Sequence, residues 1–135
     1  MTPRFADAFY YLAMVNPRDQ AHQRVMDQAG QLLGPVVTTA WVLTEVGDAL
    51  AAPPLRPIFH DLMDELWADE ETEIVPSSDA LFRRGVALFA RRPDKGWSLT
   101  DCISFVVMSE RGLTEALTGD HHLEQAGFRA LLRQG

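Results

Sequence analysis

Short apolar runs alternate with amphipathic stretches along the chain, and this alternation predicts strands separated by helices. The runs that predict strands are Arg4–Ala6, Val36–Thr38, Thr72–Val75, Glu115–Thr118 and Phe128–Leu132. Strands separated by helices are joined by right-handed crossovers, which place them in a mostly parallel sheet between layers of helices. The pattern therefore predicts the α/β class, as a three-layer α/β/α sandwich with a central, mostly parallel sheet.

Helices are predicted where apolar side chains recur at three- and four-residue spacing, or where such a run follows a residue that favours an N-cap. The predicted helices are Asp19–Ala29, Trp41–Ala51 after a Thr39 cap, Ile58–Ala68, a helix from a Ser77 or Ser78 cap to Ala90, Ser98–Arg111 and His121–Gln125. The core-facing side chains of the helix that ends at Ala90 are expected to be Leu81, Val86, Leu88 and Phe89. Ser98–Arg111 is apolar nearly all round, so we expect this helix to be buried.

The composition is that of a globular domain with an ordinary core. The chain has 135 residues, of which 47% are hydrophobic, and no stretch approaches the ~20 apolar residues of a membrane span. Cys102 is the single cysteine, which excludes an intramolecular disulfide and a zinc site built on several cysteines, and indicates a reducing compartment. We therefore expect one domain over residues 1–135, in the cytoplasm and without a membrane partner.

Acidic side chains outnumber basic ones by 19 to 12, and the resulting net charge of −7 at first argues against nucleic acid as a partner. The charge is unevenly distributed, because seven acids and no Lys or Arg lie within residues 61–73, which we call the acid-rich segment. Outside this segment, acids and bases are equal in number. A local basic patch is predicted from Arg83, Arg84, Arg91, Arg92 and Lys95. The alternative is that both runs are simply solvated helix faces.

Four carboxylates are predicted to meet beyond the carboxyl ends of the strands, where ligands bind in open parallel sheets. Asp7 follows the first strand, and Asp120 follows the fourth. Asp101 lies in the first turn of the buried helix, and Glu45 lies at the edge of the apolar face of the helix after the second strand. Each also has an ordinary alternative role: Asp101 fits a capping box with Ser98, the other two aspartates suit turns, and the glutamate suits a solvated surface.

Ionised carboxylates crowded in one place repel one another, and a hard divalent cation removes this penalty. Because oxygen ligands without cysteine select Mg²⁺ or Mn²⁺ over zinc, the cluster predicts one or two such ions and the phosphoryl-transfer chemistry that uses them. Thr100 and Ser104 flank Asp101 and are expected to orient its carboxylate or a water beside the ion, with helix capping and packing as the alternative. His121 and His122 are not expected to bind zinc, because no other histidine is near them in the sequence.

Segments in both halves of the chain resemble one known family. In the carboxyl-terminal half they are Ser98-Leu99-Thr100-Asp101-Cys102-Ile103-Ser104-Phe105 and Leu117-Thr118-Gly119-Asp120-His121-His122-Leu123-Glu124-Gln125-Ala126-Gly127-Phe128. In the amino-terminal half they are Asp7 with the apolar run after it, and Thr38-Thr39 leading to Glu45. The family is that of the PIN-domain nucleases, which include the VapC-like toxins of bacterial toxin–antitoxin pairs. The resemblance extends from about Phe5 to Phe128.

This resemblance implies a metal-dependent endoribonuclease that cleaves single-stranded RNA, with a fold that agrees with the predicted sandwich. By position, the residues that hold the Mg²⁺ or Mn²⁺ ions and serve catalysis are Asp7, Glu45, Asp101 and Asp120. The family also implies a homodimer and, for a toxin, an antitoxin protein as partner. Ala8, where many relatives have Thr or Ser, and Leu123, where Phe is common, depart from the family pattern without removing an acid.

Two surfaces are predicted to meet partners. Arg84 and Arg91, two helical turns apart, are expected together with Arg92 to contact the RNA backbone. A dimer is also predicted because one small helix has more apolar residues than it needs to bury. These residues are Phe9, Tyr10, Tyr11 and Leu12.

Two alternatives to a ribonuclease stay open at this point. A non-catalytic module with the same fold would bind RNA or a protein; Ala8 favours this alternative, and the four acids oppose it. A DNA nuclease or a phosphatase would use the same acidic cluster, because carboxylates and metal do not by themselves select the leaving group.

Overall fold

A five-stranded parallel sheet forms the centre of the structure, a computed structural model that describes residues 2–31 and 34–133. The strands are β1 (Arg4–Ala6), β2 (Val36–Thr39), β3 (Thr72–Val75), β4 (Glu115–Leu117) and β5 (Arg129–Ala130). They lie in the order β3-β2-β1-β4-β5, and every neighbouring pair is parallel. The sheet grows to one side of β1 as far as β3 and then to the other side, so the switch point for ligand binding lies between β1 and β4. The predicted fold class is confirmed.

Helices connect the strands, and two of them begin at side chains predicted to cap them. The helices of the described chain are α1 (Ala8–Val15), α2 (His22–Gln31), α3 (Ala40–Ala49), α4 (Arg56–Ala68), α5 (Asp79–Arg91), α6 (Leu99–Arg111) and α7 (His121–Gln125), with a 3₁₀ turn at Pro53–Leu55. Thr39 Oγ1 accepts a hydrogen bond from Val42 N at 3.1 Å, and Ser78 Oγ accepts one from Leu81 N at 3.2 Å. Gly112 ends α6 with a φ of 68°, a left-handed conformation that glycine adopts without strain.

Helices α5 and α6 approach each other closely through a glycine. A Cβ atom at Gly85 would clash with Ile103 Cγ1, so a larger residue at position 85 would force either the Ile103 side chain or the helices to move. As predicted, α6 is buried, through Cys102, Ile103, Ser104, Phe105, Val107 and Met108.

The predicted core-facing side of α5 is wrong at two positions. Leu81 is buried and Leu88 packs against the core. Val86 and Phe89, by contrast, are 40% and 50% exposed. The inward-facing stripe runs through Leu81, Gly85 and Leu88, because the bare backbone of Gly85 faces α6. A pattern that counts only large apolar side chains therefore misplaces the core side of this helix.

The apolar residues of α1 are used inside the single chain. Tyr10 and Tyr11 are buried, and Phe9 and Leu12 are partly buried against the core. Helix α1 therefore does not present the exposed apolar side chains from which a dimer surface was predicted, since the sheet and neighbouring helices cover them.

Several element boundaries differ from the prediction by a few residues, and two of these differences have a visible local reason. Helix α2 begins at His22 and not at Asp19, because Asp19 closes a turn before the helix. Strand β5 comprises Arg129–Ala130 and not Phe128–Leu132; it starts one residue later because the backbone N–H of Phe128 donates to Leu123 O in α7. Within the described ranges, none of the helices combines the length and apolar character that crossing a membrane requires.

Candidate metal centre

Four acidic residues lie together beside the switch point of the sheet; we call Asp7, Glu45, Asp101 and Asp120 the carboxylate cluster. Asp7 directly follows β1, and Asp120 follows β4 after two residues. Asp101 lies in the first turn of α6, and Glu45 lies in the middle of α3. The negative charges of Asp101 and Asp120 raise the pKa values of Asp7 and Glu45. The four carboxyl groups are therefore close enough to interact electrostatically.

Thr118 joins the ends of β1 and β4. Its hydroxyl donates a hydrogen bond to Asp7 Oδ2 at 2.7 Å and accepts one from Asp120 N at 3.0 Å. Thr118 is fully buried, so solvent does not compete for either bond. One hydroxyl group therefore fixes both the carboxylate of Asp7 and the backbone of Asp120.

Asp7 is buried, and its second oxygen has no hydrogen-bond partner in the described chain. Oδ1 is fully enclosed and unpaired, and the side chain does not cap α1 although Asp7 stands at its N-cap position. Burial, the largest cause, raises the pKa of Asp7 to about 7, and the charges of Asp120 and Asp101 act in the same direction. The Thr118 hydrogen bond and the nearby backbone N–H of Tyr10 act against them, although the Tyr10 N–H does not reach hydrogen-bond geometry with Oδ1. An enclosed oxygen without a partner is costly unless a ligand reaches it.

Asp101 is at once a helix cap and a member of the cluster. Its Oδ2 accepts a hydrogen bond from Ser98 N at 3.1 Å, and its own N–H donates to Ser98 Oγ at 3.0 Å. This is the capping box that the sequence offers as the ordinary role of Asp101. The same Oδ2 atom lies 3.1 Å from His122 Nδ1, so the cap also sets the position of this carboxylate within the cluster.

Asp120 and Glu45 complete the cluster on its more open side. Asp120 Oδ1 accepts a hydrogen bond from His122 N at 2.9 Å and thereby caps α7. Glu45 lies at the surface. Desolvation of its carboxyl group raises the pKa of Glu45, the charge of Asp101 raises it further, and the Thr100 side chain opposes both. The cluster thus has a buried floor at Asp7 and a solvent-facing edge at Glu45.

The donor set of the carboxylate cluster fits a hard divalent cation. Its ligand atoms are carboxylate oxygens, which Mg²⁺ and Mn²⁺ prefer, and one of them is an enclosed oxygen that nothing in the described residues pairs. A cation there would satisfy Asp7 Oδ1 and offset the mutual repulsion of the acids. Nitrogen donors also lie close by, because ligand atoms of Asp120, His121 and His122 are within 4.8 Å of one another.

Solved structures of other proteins share this fold, although no protein-family model and no curated protein matches the sequence. VapC20 from Mycobacterium tuberculosis, a toxin that cleaves the sarcin–ricin loop, matches with a TM-score of 0.85 at 20% sequence identity. The match covers 94% of this chain and 96% of that one. The chain has the PIN-domain fold of the VapC toxins.

Two further structures share the PIN-domain fold at lower similarity. FitAcB from Neisseria gonorrhoeae matches with a TM-score of 0.68 at 16% identity, over 96% of this chain and 95% of that chain. VapBC2 from Rickettsia felis, bound to a DNA fragment from their promoter, matches with a TM-score of 0.66 at 10% identity, over 96% and 97% of the two chains. The matches span nearly all of each chain, so they concern the complete fold and not one motif.

Two side chains at this end of the PIN-domain fold are not found by the sequence pattern. The pattern gives Thr118 no role beyond the end of a strand, and it discounts His122 as a ligand. Thr118 stands two residues before Asp120, and His122 stands two residues after it, so both lie where the chain leaves β4 for the switch point. Proximity to a strand-end acid is therefore the signal that indicates them.

The two hydroxyl groups predicted to orient Asp101 or a water beside the ion do not contact the Asp101 carboxylate in the structure. The Thr100 side chain acts on Glu45, and Ser104 is buried within α6. Among the residues that the structure describes, neither donates a hydrogen bond to Asp101. Ser98 and His122 contact its carboxylate instead.

The arginines predicted to contact RNA line a groove beside α5 and α6. The groove has a volume of about 590 Å³, and its lining includes Arg84, Arg91, Arg92, Trp97 and Phe128. Arg84 pairs with Glu110 at 2.6 Å, whereas Arg91 forms no ion pair within the described part of the chain. Arg92 pairs with a neighbouring acid at 3.1 Å and lies 5.2 Å from the centre of the Trp97 ring. Arg91 is therefore the arginine of the groove with its charge available.

Proposed function

We propose that the protein is a metal-dependent endoribonuclease that hydrolyses phosphodiester bonds of single-stranded RNA. The observation that carries the proposal is the enclosed, unpaired Oδ1 of Asp7 within a cluster of four carboxylates at the switch point. An oxygen in this state gains most from a divalent cation, Mg²⁺ or Mn²⁺. The proposal is further supported by the fold, which VapC20, a toxin that cleaves the sarcin–ricin loop, also has.

The residues of the cluster have different tasks in the proposed site. Asp7, held by Thr118, and Asp101, held by its capping box at the start of α6, would hold one or two cations. Asp120 and Glu45 close the site on the side from which a phosphate enters. When bound there, a divalent cation supplies an attacking water of lowered pKa and neutralises charge on the scissile phosphate.

The net charge of −7 makes RNA binding depend on the cation in this proposal. The carboxylate cluster repels a phosphate until a cation neutralises it. The RNA backbone then follows the groove that contains Arg84, Arg91 and Arg92, with Arg91 as the main contact because the other two are paired with acids.

The groove and the cluster are joined through the elements that carry them. Trp97 directly precedes the Ser98 cap of α6, and its Nε1 donates a hydrogen bond to Gln125 Oε1 on α7 at 3.1 Å. The elements that supply Asp101 and Asp120 therefore also form one end of the groove. A strand of RNA that lies in the groove reaches the cluster along α6.

We further propose that the protein is the cytoplasmic toxin of a toxin–antitoxin pair, with an antitoxin protein as partner, as the VapC-like fold suggests. We also propose a homodimer that forms through α5 and not through α1. Phe82, Val86 and Phe89 are exposed on one side of α5 and supply apolar area that a second copy would cover. A monomeric mass by light scattering at micromolar concentration would contradict the dimer.

The experiment that tests the ribonuclease is cleavage of single-stranded RNA by the purified protein with Mg²⁺ or Mn²⁺ and with EDTA. We expect cleavage with either ion and none in EDTA or in the double variant Asp7→Asn, Asp101→Asn. Cleavage that persists in EDTA, or in the double variant, would overturn the mechanism. Single-stranded DNA and a phosphate monoester in the same assay separate the ribonuclease from a DNA nuclease and a phosphatase.

A further inference from the structure

A histidine lies against two members of the carboxylate cluster. His122 Nδ1 is 3.1 Å from Asp101 Oδ2 and 3.5 Å from Asp120 Oδ1. The His122 side chain is only 23% exposed, whereas that of its neighbour His121 is 61% exposed. His121 Nδ1 approaches one carboxylate, that of Asp120, at 3.6 Å. Of the two histidines, His122 is therefore the one directed into the cluster.

The spacing of these atoms is that of neighbouring ligands around one ion. Two ligand atoms at right angles around an ion, with bonds of about 2.1 Å, are separated by about 3 Å. The separation of His122 Nδ1 from Asp120 Oδ1, 3.5 Å, is near this value, and these two residues belong to one group whose ligand atoms lie within 4.8 Å of one another. Without an ion, a hydrogen bond from Nδ1 to Asp101 Oδ2 occupies the same position.

A second observation indicates that something binds among these groups. Asp7 Oδ1 is enclosed and unpaired in the described chain, and the negative charges of Asp101 and Asp120 act on this carboxyl group. Among these groups, Asp7 Oδ1 has no partner in the described chain, and His122 Nδ1 lies between the carboxylates of Asp101 and Asp120. A cation bound beside His122 would offset the negative charges that act on Asp7 and would replace the hydrogen bond from His122 Nδ1 to Asp101.

We propose that His122 Nδ1 is a ligand of the cation, together with Asp120, and that it makes the centre select a first-row transition-metal ion such as Mn²⁺ over Mg²⁺. Mg²⁺ takes oxygen ligands and keeps several waters, so an imidazole nitrogen contributes little to its binding. Transition-metal ions accept imidazole readily, and a nitrogen ligand therefore changes the order of affinities. This inference rests on the proposed function, because it concerns the same cation.

Pulsed electron paramagnetic resonance of Mn²⁺ bound to the full chain tests the ligand directly. We expect the electron spin echo of the bound ion to be modulated by a coordinated nitrogen in the unaltered protein and in His121→Gln, and the modulation to be lost in His122→Gln. The side-chain amide introduced by His122→Gln keeps an N–H donor for Asp101, so the helix cap and the fold have no reason to change. Thermal unfolding of each metal-free variant checks this.

Calorimetric titration of the same three proteins with Mn²⁺ and with Mg²⁺ tests the selectivity. His122→Gln is expected to weaken Mn²⁺ binding by at least about tenfold and to change Mg²⁺ binding much less, while His121→Gln changes neither. Mn²⁺ that binds the unaltered protein without nitrogen modulation would overturn the ligand assignment and leave the ribonuclease proposal standing. Nitrogen modulation in a protein that cleaves no RNA would support the ligand and overturn the ribonuclease. Absence of any Mn²⁺ binding would overturn both.

Discussion

The acid-rich segment and the carboxylate cluster are built from the same residue types and differ in nearly everything else. All seven acids of residues 61–73 are exposed on α4, β3 and the turn between them. The cluster takes its four acids from positions spread between residues 7 and 120 and holds one of them buried. The density of acids along the sequence therefore does not mark the site. The convergence of acids at the ends of β1 and β4 marks the candidate site.

The two regions also satisfy their carboxylates differently. In the acid-rich segment, Asp69 accepts hydrogen bonds from Glu71 N at 2.9 Å and from Thr72 Oγ1 at 2.8 Å, and Glu73 pairs with Arg111 at 2.6 Å. Asp7 has no cationic partner, and one of its oxygens is unpaired within the described residues. A carboxylate that protein and water already satisfy has little use for a cation, whereas an enclosed, unpaired one gains from it.

Neutralising one acid in each region is expected to give the largest contrast. Asp101→Asn should lower RNA cleavage about a hundred- to a thousandfold, because it removes a charge that holds the cation while its amide oxygen keeps the cap with Ser98. Asp64→Asn, on the exposed face of α4, should change the rate less than about twofold. Initial rates with Mn²⁺ measure both. Equal losses in the two variants would remove the distinction between the regions.

The stability of the metal-free protein is expected to change in the opposite direction from its activity. At pH 7.5 in EDTA, Asp7→Asn should raise the free energy of unfolding by roughly 1–3 kcal/mol, because a neutral amide replaces a buried charge and its oxygen still accepts the Thr118 hydrogen bond. Glu70→Gln, at an exposed position, should change it by less than about 0.5 kcal/mol. Urea unfolding measures both changes. A destabilised Asp7→Asn variant would show that burial of this charge costs nothing.

The same residue predicts how the stability of the metal-free protein depends on pH. The pKa of Asp7 is raised from 3.8 to about 7 on folding, so the unfolded chain loses this proton at lower pH than the folded one. Stability from this group is complete below pH 4 and is lost as the pH rises to about 7, by at most about 1.4 kcal/mol per pH unit. The difference between the unaltered protein and Asp7→Asn, measured by urea unfolding in EDTA from pH 4 to 8, should follow this course. A difference that is constant with pH would contradict the shift.

The arginine groove gives the smallest expected effect. Arg91→Ala should raise the KM for RNA about three- to tenfold and weaken the salt dependence of KM, since one phosphate contact is lost, with kcat nearly unchanged. Arg83→Ala is the matched control on the same helix, because Arg83 already pairs with Asp79 at 2.7 Å. If both substitutions raise the KM equally, RNA binding depends on the overall positive charge of the helix and not on a path along the groove.

Local signals in the sequence predict the elements, and contacts between distant segments decide what the sequence misses. Thr39 and Ser98 cap the helices that they precede because a cap requires only neighbouring residues. Val86 and Phe89 are misplaced because the approach of α6 to Gly85 is a tertiary event. The strand order follows from the crossover rule only in part, since the pattern does not say on which side of β1 each strand is added.

The same distinction between local signals and distant contacts applies to the candidate site. Three of the four acids are predicted because they follow strands or open a helix, and Glu45 is predicted because it lies at the edge of the apolar face of its helix. Thr118 is missed because its partner Asp7 lies 111 positions away, and His122 is missed because its contact with Asp101 spans 21 positions. Asp101 forms the capping box and also belongs to the carboxylate cluster. A sequence pattern treats these two roles as competing explanations.

The most direct test of the account is a calorimetric titration of three proteins with Mn²⁺ at neutral pH. They are the unaltered chain, the cluster variant Asp7→Asn with Asp101→Asn, and the matched surface variant Asp64→Asn with Glu70→Gln. The account predicts the same Mn²⁺ affinity in the unaltered chain and the surface variant, and no measurable binding in the cluster variant. Unchanged binding in the cluster variant, or loss of binding in the surface variant, would contradict it.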